Sequence, residues 1–288
     1  AIDDLVDYTP NHLFTLKENL PGCVAEKLNP LLKGHDQIGT DNETPAAMIS
    51  DPQCIDLTSE YQEIRRFKFP DEVEALRFTI RCADKAYEEG KKIIEPGMSE
   101  VDVMASMHRA ATLEAGEMLS GFGQDYRCGA PGGFARRRSI EAGEIFVLDV
   151  GIGVRGYRSD LCRSFAVNGE PTEAQAEAHA RIVEMFGIGE SMMMPGQSCR
   201  EMHEIIEKEL DGWNGYRFFH HSGHGIGLDA HECPRINPKW DDLFQVGDVV
   251  AFEPGLYGEA LNGGIRVENN FYITENGPEK LSHFPMDL

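Results

Sequence analysis

Residues 143–151 read GEIFVLDVG, and residues 247–255 read GDVVAFEPG. Both open with Gly-acid, run through four apolar residues, and reach a second acid two places before a closing glycine. The alignment sets Asp149 against Glu253. Two more echoes fall in the same order. PGMSEVDVM (96–104) answers PGQSCREMH (195–203), with Pro-Gly, a serine N-cap and an acid three places on. GYRSD (156–160) answers GIRVE (264–268), aligning Asp160 with Glu268 and Arg158 with Arg266. Three ordered matches predict two related αβ halves packed about a pseudo-twofold axis, in an α+β architecture. Equivalent strands would then meet at the axis, and Asp149, Asp160, Glu253 and Glu268 would converge.

Each of these acids sits in or beside an apolar run: VLD, RSDLC, AFEPG and IRVENN. A buried carboxylate without a cation is costly, and four together cannot all stay ionised unaided. Two divalent ions balance four negative charges, so the pattern predicts a two-metal site.

The stretch HHSGHGIGLDAHECP (220–234) supplies imidazoles. A carboxylate cage that takes one imidazole suits Mn²⁺, Co²⁺, Zn²⁺ or Fe²⁺ better than Mg²⁺ or Ca²⁺, with Mn²⁺ favoured here. His224 is the expected ligand, with Gly223 and Gly225 letting the backbone approach the ions. His231, seven residues on, is near enough to reach substrate, and His220 ends YRFFH at the cleft. A histidine is ordinarily a satisfied polar residue. His221, His12, His35, His108, His179, His203 and His283 are read that way.

The rest of the chain bounds the answer. With 288 residues it has room for one large domain and a smaller piece. A net charge of −22 argues against nucleic acid and anionic membrane as partners. No apolar run is long enough to span a bilayer, and AIDDLVDYTP lacks the layout of a secretory signal. The seven cysteines form no CxxC pair, which suggests a reducing, cytoplasmic setting. Residues 1–65 are poorly periodic, with a turn-rich IGTDNETPAAMI at 38–49, and read as a partial or reduced N-terminal αβ domain with a linker. Residues 66–288 form the second domain. Apolar spacing predicts helices over 71–94, after Ser99, and over 172–194 and 198–210. Strands are expected at 144–150, 163–168, 216–220, 248–253 and 265–274.

The ordered set LDVG, SDLCRS, HHSGHGIGLDAHE, FEPGLY and GGIRVEN resembles the pita-bread metallopeptidases, a group with methionine aminopeptidase, Xaa-Pro aminopeptidase and prolidase among its members. The likeness covers about residues 66–288 and is strongest to the proline-specific, creatinase-like branch. It implies two metals held by Asp149, Asp160, His224, Glu253 and Glu268, with Asp160 and Glu268 bridging. It implies a water acidified between the ions, with Glu253 taking its proton. His231 would stabilise the oxyanion, His220 would contact substrate, and Arg266 would orient Glu268. The expected substrate is a short peptide cleaved before proline, and the expected assembly a homodimer.

Proline-specific members usually carry another active-site histidine upstream of the first aspartate ligand. Here CGAPGGFARRR has none, and Pro131, Gly132 and Gly133 stand in that neighbourhood. Two other readings follow: an enzyme breaking C–N or C–S bonds in a non-peptide small molecule, and a non-catalytic binding module. Arg136, Arg137 and Arg138 in that stretch would favour a dipeptide or small carboxylate if one faced the cleft.

Overall fold

The structure, a computed structural model, describes residues 20–41, 48–49, 52–123 and 125–288. His12 and part of IGTDNETPAAMI lie outside the described residues. The chain divides into two compact units, Ala1–Ile64 and Arg65–Leu288. The first holds helix α1 (Leu20–Leu32) and a parallel pair, β1 (Gln37–Thr40) with β2 (Gln53–Asp56). Helix α2 (Thr58–Arg66) follows, its first turn fixed by Thr58 N and Oγ donating to Asp56 Oδ1 at 2.9 and 2.6 Å.

In the second unit the repeat becomes architecture. Helices α3 (Pro70–Ile93) and α4 (Glu100–Ala115) precede strands β3 (Gly121–Phe122), β4 (Asp125–Cys128) and β5 (Ile145–Asp149). A hairpin of β6 (Ile152–Val154) and β7 (Tyr157–Arg158) leads to β8 (Cys162–Ala166). Helices α5 (Glu173–Met192) and α6 (Cys199–Leu210) open the second half. They are followed by β9 (Gly223–Gly225), β10 (Glu232–Ile236), β11 (Val249–Phe252), the hairpin β12 (Gly255–Gly258) with β13 (Gly263–Arg266), and β14 (Asn269–Thr274) with β15 (Gly277–Lys280). In each half the acid-bearing strand is central and antiparallel to both neighbours: β4-β5-β8 in one, β9-β11-β14 in the other.

Local chemistry repeats as well. Ser99 Oγ accepts from Asp102 N and Ser198 Oγ from Glu201 N, both at 3.1 Å, and each cap fixes a helix start by about 1 kcal/mol. Asp102 does not complete a capping box. Its carboxylate instead accepts from Ser99 Oγ at 2.7 Å.

Two apolar clusters sandwich the sheets. Phe146 and Leu148 of β5 face the cluster of α3 and α4, while Ile145 and Val147 face that of α5 and α6. Strand β11 does the same, with Val249 and Ala251 on one side and Val250 and Phe252 on the other. Strands covered on both faces carry unbroken apolar runs, which is why IFVL and VVAF do not alternate with polar residues. Burying each large side chain is worth about 1.5–3 kcal/mol.

Two expected strands differ. Residues 216–220 form only an isolated bridge, Arg217 with Tyr257. The run 265–274 is two strands, because the chain leaves β12 for β11 around Val267 and Glu268. No helix among the described residues is long and apolar enough to cross a membrane.

Candidate active site

The repeat brings the four acids together. Asp149 ends β5, Asp160 precedes β8, Glu253 directly follows β11, and Glu268 lies between β13 and β14. The halves are stitched beside them. Ser164 Oγ donates to Arg266 O at 3.1 Å and accepts from Arg266 N at 3.0 Å, and Glu268 N donates to Cys162 O at 3.0 Å. His224, in β9, pairs with Ala251 of β11, so Glu253 two residues on shares its face. Gly223 and Gly225 serve the sheet rather than an approach to ions. A Cβ on either would lie 2.1 Å from Ala251 O or 2.0 Å from Cys233 O.

Among the described residues, three triads place one donor atom each within 4.8 Å of the others: Asp149–Asp160–Glu268, His224–Glu253–Glu268 and Asp160–His224–His231. His224 Nε2 is 3.6 Å from Glu253 Oε1 and 3.7 Å from Asp160 Oδ2. The third triad draws His231 within ligand range as well, and its ring centroid is 4.0 Å from that of His224.

Charge decides what this cluster needs. Burial pushes the Asp160 and Glu268 carboxyls well above the ordinary range, and the neighbouring acids push them further. Asp149 is also raised by burial, although Arg266 opposes the shift. Glu253 goes the other way: burial would raise it, but His221 beside it, itself raised by Glu253, outweighs burial and holds it low. Burial lowers His224 and His220 to about 4, so both imidazoles are neutral and able to accept. Glu268 Oε2 is buried with no hydrogen-bond partner. The cluster therefore has too many carboxylates and too little positive charge. Clustered carboxylate oxygens beside a neutral imidazole are a fitting cage for divalent cations.

Arg266 is the cation in the site, and its partners differ from expectation. Its Nη2 donates to Asp125 Oδ2 at 2.6 Å and Asp149 Oδ2 at 2.7 Å, and Nη1 to Tyr257 Oη at 3.3 Å. None of its hydrogen bonds goes to Glu268, so it orients Asp149 instead. No sequence motif marks Asp125. It pairs with Asp149 across β4 and β5, and also accepts from Gly133 N at 2.7 Å.

The histidines divide differently as well. Both ring nitrogens of His220 are spent internally, Nδ1 donating to His221 O at 2.7 Å and Nε2 accepting from Tyr257 Oη at 2.8 Å. The ring lines the cleft, but it has no nitrogen left for substrate. His221, read as local structure, has Nδ1 3.1 Å from Glu253 Oε1, without the alignment of a full hydrogen bond. Its only sequence signal was membership of the cluster.

A cavity of about 630 Å³ lies on one side, with His220, Phe219, Arg235 and Trp240 in its wall. A smaller one of about 280 Å³ holds Asp125, Asp149, Asp160 and Arg158, and His231 borders both. Arg136 and Arg138 line neither. Arg136 is bound to Glu100 and Arg138 to Glu144, so these two arginines do not face the cleft.

A pseudo-symmetric αβ fold with acids and imidazoles at its axis defines a pita-bread, metal-dependent hydrolase. A profile of metallopeptidase family M24 matches residues 74–275, and the chain belongs to that family. It is similar to an Xaa-Pro dipeptidase of Pyrococcus furiosus, 28% identical over 91% of this chain and 78% of that one. Its fold superposes on the prolidase of Pyrococcus horikoshii with a TM-score of 0.82, at 25% identity over 95% of this chain and 80% of that one. An Xaa-Pro dipeptidase from Bacillus anthracis gives 0.81, at 27% identity over 95% and 79%. The protein is a peptidase of this family.

Proposed function

We propose that the protein is a two-metal hydrolase of short peptides that cleaves the bond before proline, as an Xaa-Pro dipeptidase or aminopeptidase. The observation that carries this reading is the buried carboxylate cluster, with Glu268 Oε2 unpartnered, beside neutral His224. Asp149, Asp160, His224, Glu253 and Glu268 would hold the ions. Bound there, the ions would supply Lewis acidity for the scissile carbonyl and acidify water.

The chain's own residues do the rest. Glu253, kept ionised by His221 beside it, takes the proton of the attacking water on a carboxylate oxygen. His231, on the wall of both cavities, donates to the oxygen that becomes negative. Arg266 holds Asp149, while Tyr257 and His220 brace Arg266 from behind.

Mn²⁺ suits a carboxylate-rich site with one imidazole. A homodimer is favoured by the exposed Phe67, Phe69, Leu243 and Val246 of the second unit. Residues 1–65 are assigned to a separate N-terminal αβ unit with a linker, and the cytoplasm is the assigned location. Metal analysis with an Ala-Pro and Gly-Pro release assay tests the reading. Two equivalents of metal and metal-dependent release of proline are expected. Failure to release proline after loading with Mn²⁺, Co²⁺, Zn²⁺ or Fe²⁺ would overturn it.

A further inference from the structure

The internal repeat pairs Arg158 with Arg266. The two have opposite fates. Arg266 is committed to Asp125, Asp149 and Tyr257. Arg158, the last residue of β7, is anchored by its backbone, N donating to Gly227 O at 2.8 Å. Its guanidinium makes no hydrogen bond or ion pair among the described residues. In a chain with 49 acids and 27 lysines and arginines, a half-buried arginine without an acid is unusual. Gly121 leaves space for it, since a Cβ there would lie 2.6 Å from Arg158 Nη1.

The guanidinium borders the smaller cavity, with Asp125, Asp149, Asp160 and His231. Arg158 pairs with none of those acids: Asp125 and Asp149 accept from Arg266, and Asp160 lies in the carboxylate cluster. Its guanidinium keeps its donors free, and the three acids outnumber it in the compartment. The cavities also differ in what they attract. The larger one balances Arg217, Arg235 and Lys239 against Glu207, Asp211 and Glu232 beside the apolar Phe219 and Trp240, so it has no excess of acid. The smaller, rich in carboxylates, is where a peptide's α-ammonium is drawn. The first residue of the substrate therefore sits there, with its side chain beside Arg158.

We propose that Arg158 is a specificity-determining residue that selects peptides whose first residue is aspartate or glutamate. A planar guanidinium with free donors pairs with a carboxylate through two parallel hydrogen bonds, which an amide of the same shape cannot match. This inference rests on the peptidase reading above and names the substrate class of the same site.

The experiment compares kcat/KM for Glu-Pro and its uncharged isostere Gln-Pro on the metal-loaded enzyme. Wild type is expected to favour Glu-Pro by about tenfold or more. In Arg158→Ala the ratio should fall towards one, and in Arg158→Glu Lys-Pro should overtake Glu-Pro. A wild-type ratio near one, or a ratio unchanged in Arg158→Ala, overturns the proposal. Calorimetric titration with glutamate and glutamine, the product amino acids, reads the same discrimination without turnover. If no dipeptide is cleaved, the peptidase reading fails, and the titration alone decides Arg158. Preferential glutamate binding lost in Arg158→Ala supports the assignment, and equal binding of the two amino acids refutes it.

Discussion

Lys68 Nζ lies 2.7 Å from Glu232 Oε2, both side chains almost wholly buried, 164 residues apart in sequence. Glu232 also accepts from Asp229 N at 3.0 Å through its other oxygen. The pair thus ties the segment entering the catalytic unit to the turn that carries His231. Breaking a buried pair leaves one charge without its partner. Lys68→Met should cost about 3–5 kcal/mol in urea unfolding, and Lys68→Met with Glu232→Leu clearly less. Equal losses in the single and double variants would show that packing, and not charge, holds this junction.

Metal loading should stabilise the fold as well as permit catalysis. Asp160 and Glu268 are raised by burial and by the neighbouring acids, so bound cations would offset the repulsion among these carboxylates. At a hundredfold excess over Kd, binding to the native state alone is worth about 2.7 kcal/mol. The melting temperature should rise with Mn²⁺ and fall on chelation, and His224→Ala should shrink the rise. An unchanged melting curve across these conditions would mean the cluster does not take the ion.

His231 separates two roles. As an oxyanion donor, its replacement by alanine should lower kcat by about 10²–10³ with bound metal unchanged. Its place in a triad with Asp160 and His224 offers the other role, as a ligand. Metal content of the purified variant decides. Loss of an equivalent of metal together with activity would make His231 a ligand.

The four acids were legible because the repeat gives them as two matched pairs, Asp149 with Glu253 and Asp160 with Glu268, and because carboxylates in apolar runs demand a reason. Asp125 was not legible. GQDYRC has no motif, and only the register that sets Asp125 opposite Asp149 gives it meaning. The strand expected at 216–220 shrinks to the Arg217–Tyr257 bridge because the next amide, Phe218 N, donates to the Asp211 carboxylate and not to a strand. The break at Val267–Glu268 is a change of partner strand, which apolar patterning does not encode. Arg136 and Arg138 of CGAPGGFARRR are turned from the cleft by acids that the local sequence does not show. The acid that claims Arg136 is Glu100, 36 residues away at the start of a helix.

Glu100 gives the last prediction, in pH. It is fully buried and accepts four hydrogen bonds, from Cys128 N at 3.1 Å and from Arg136 N, Nε and Nη2 at 2.8, 3.0 and 2.6 Å. Burial alone would raise its pKa. The Arg136 guanidinium and the two backbone amides outweigh burial and hold the carboxyl below its usual range. A folded pKa below the unfolded one favours the fold wherever the group is ionised. The contribution is complete above the unfolded value, about 4.3, and is lost as pH falls through the folded one. Glu100→Gln should therefore lower the melting temperature at pH 7, by an amount equivalent to about 1.5–3 kcal/mol for a bond to a charged group. The gap between variant and wild type should close as pH falls below about 4. Parallel melting curves from pH 7 to pH 3 would show that Glu100 contributes shape and not charge.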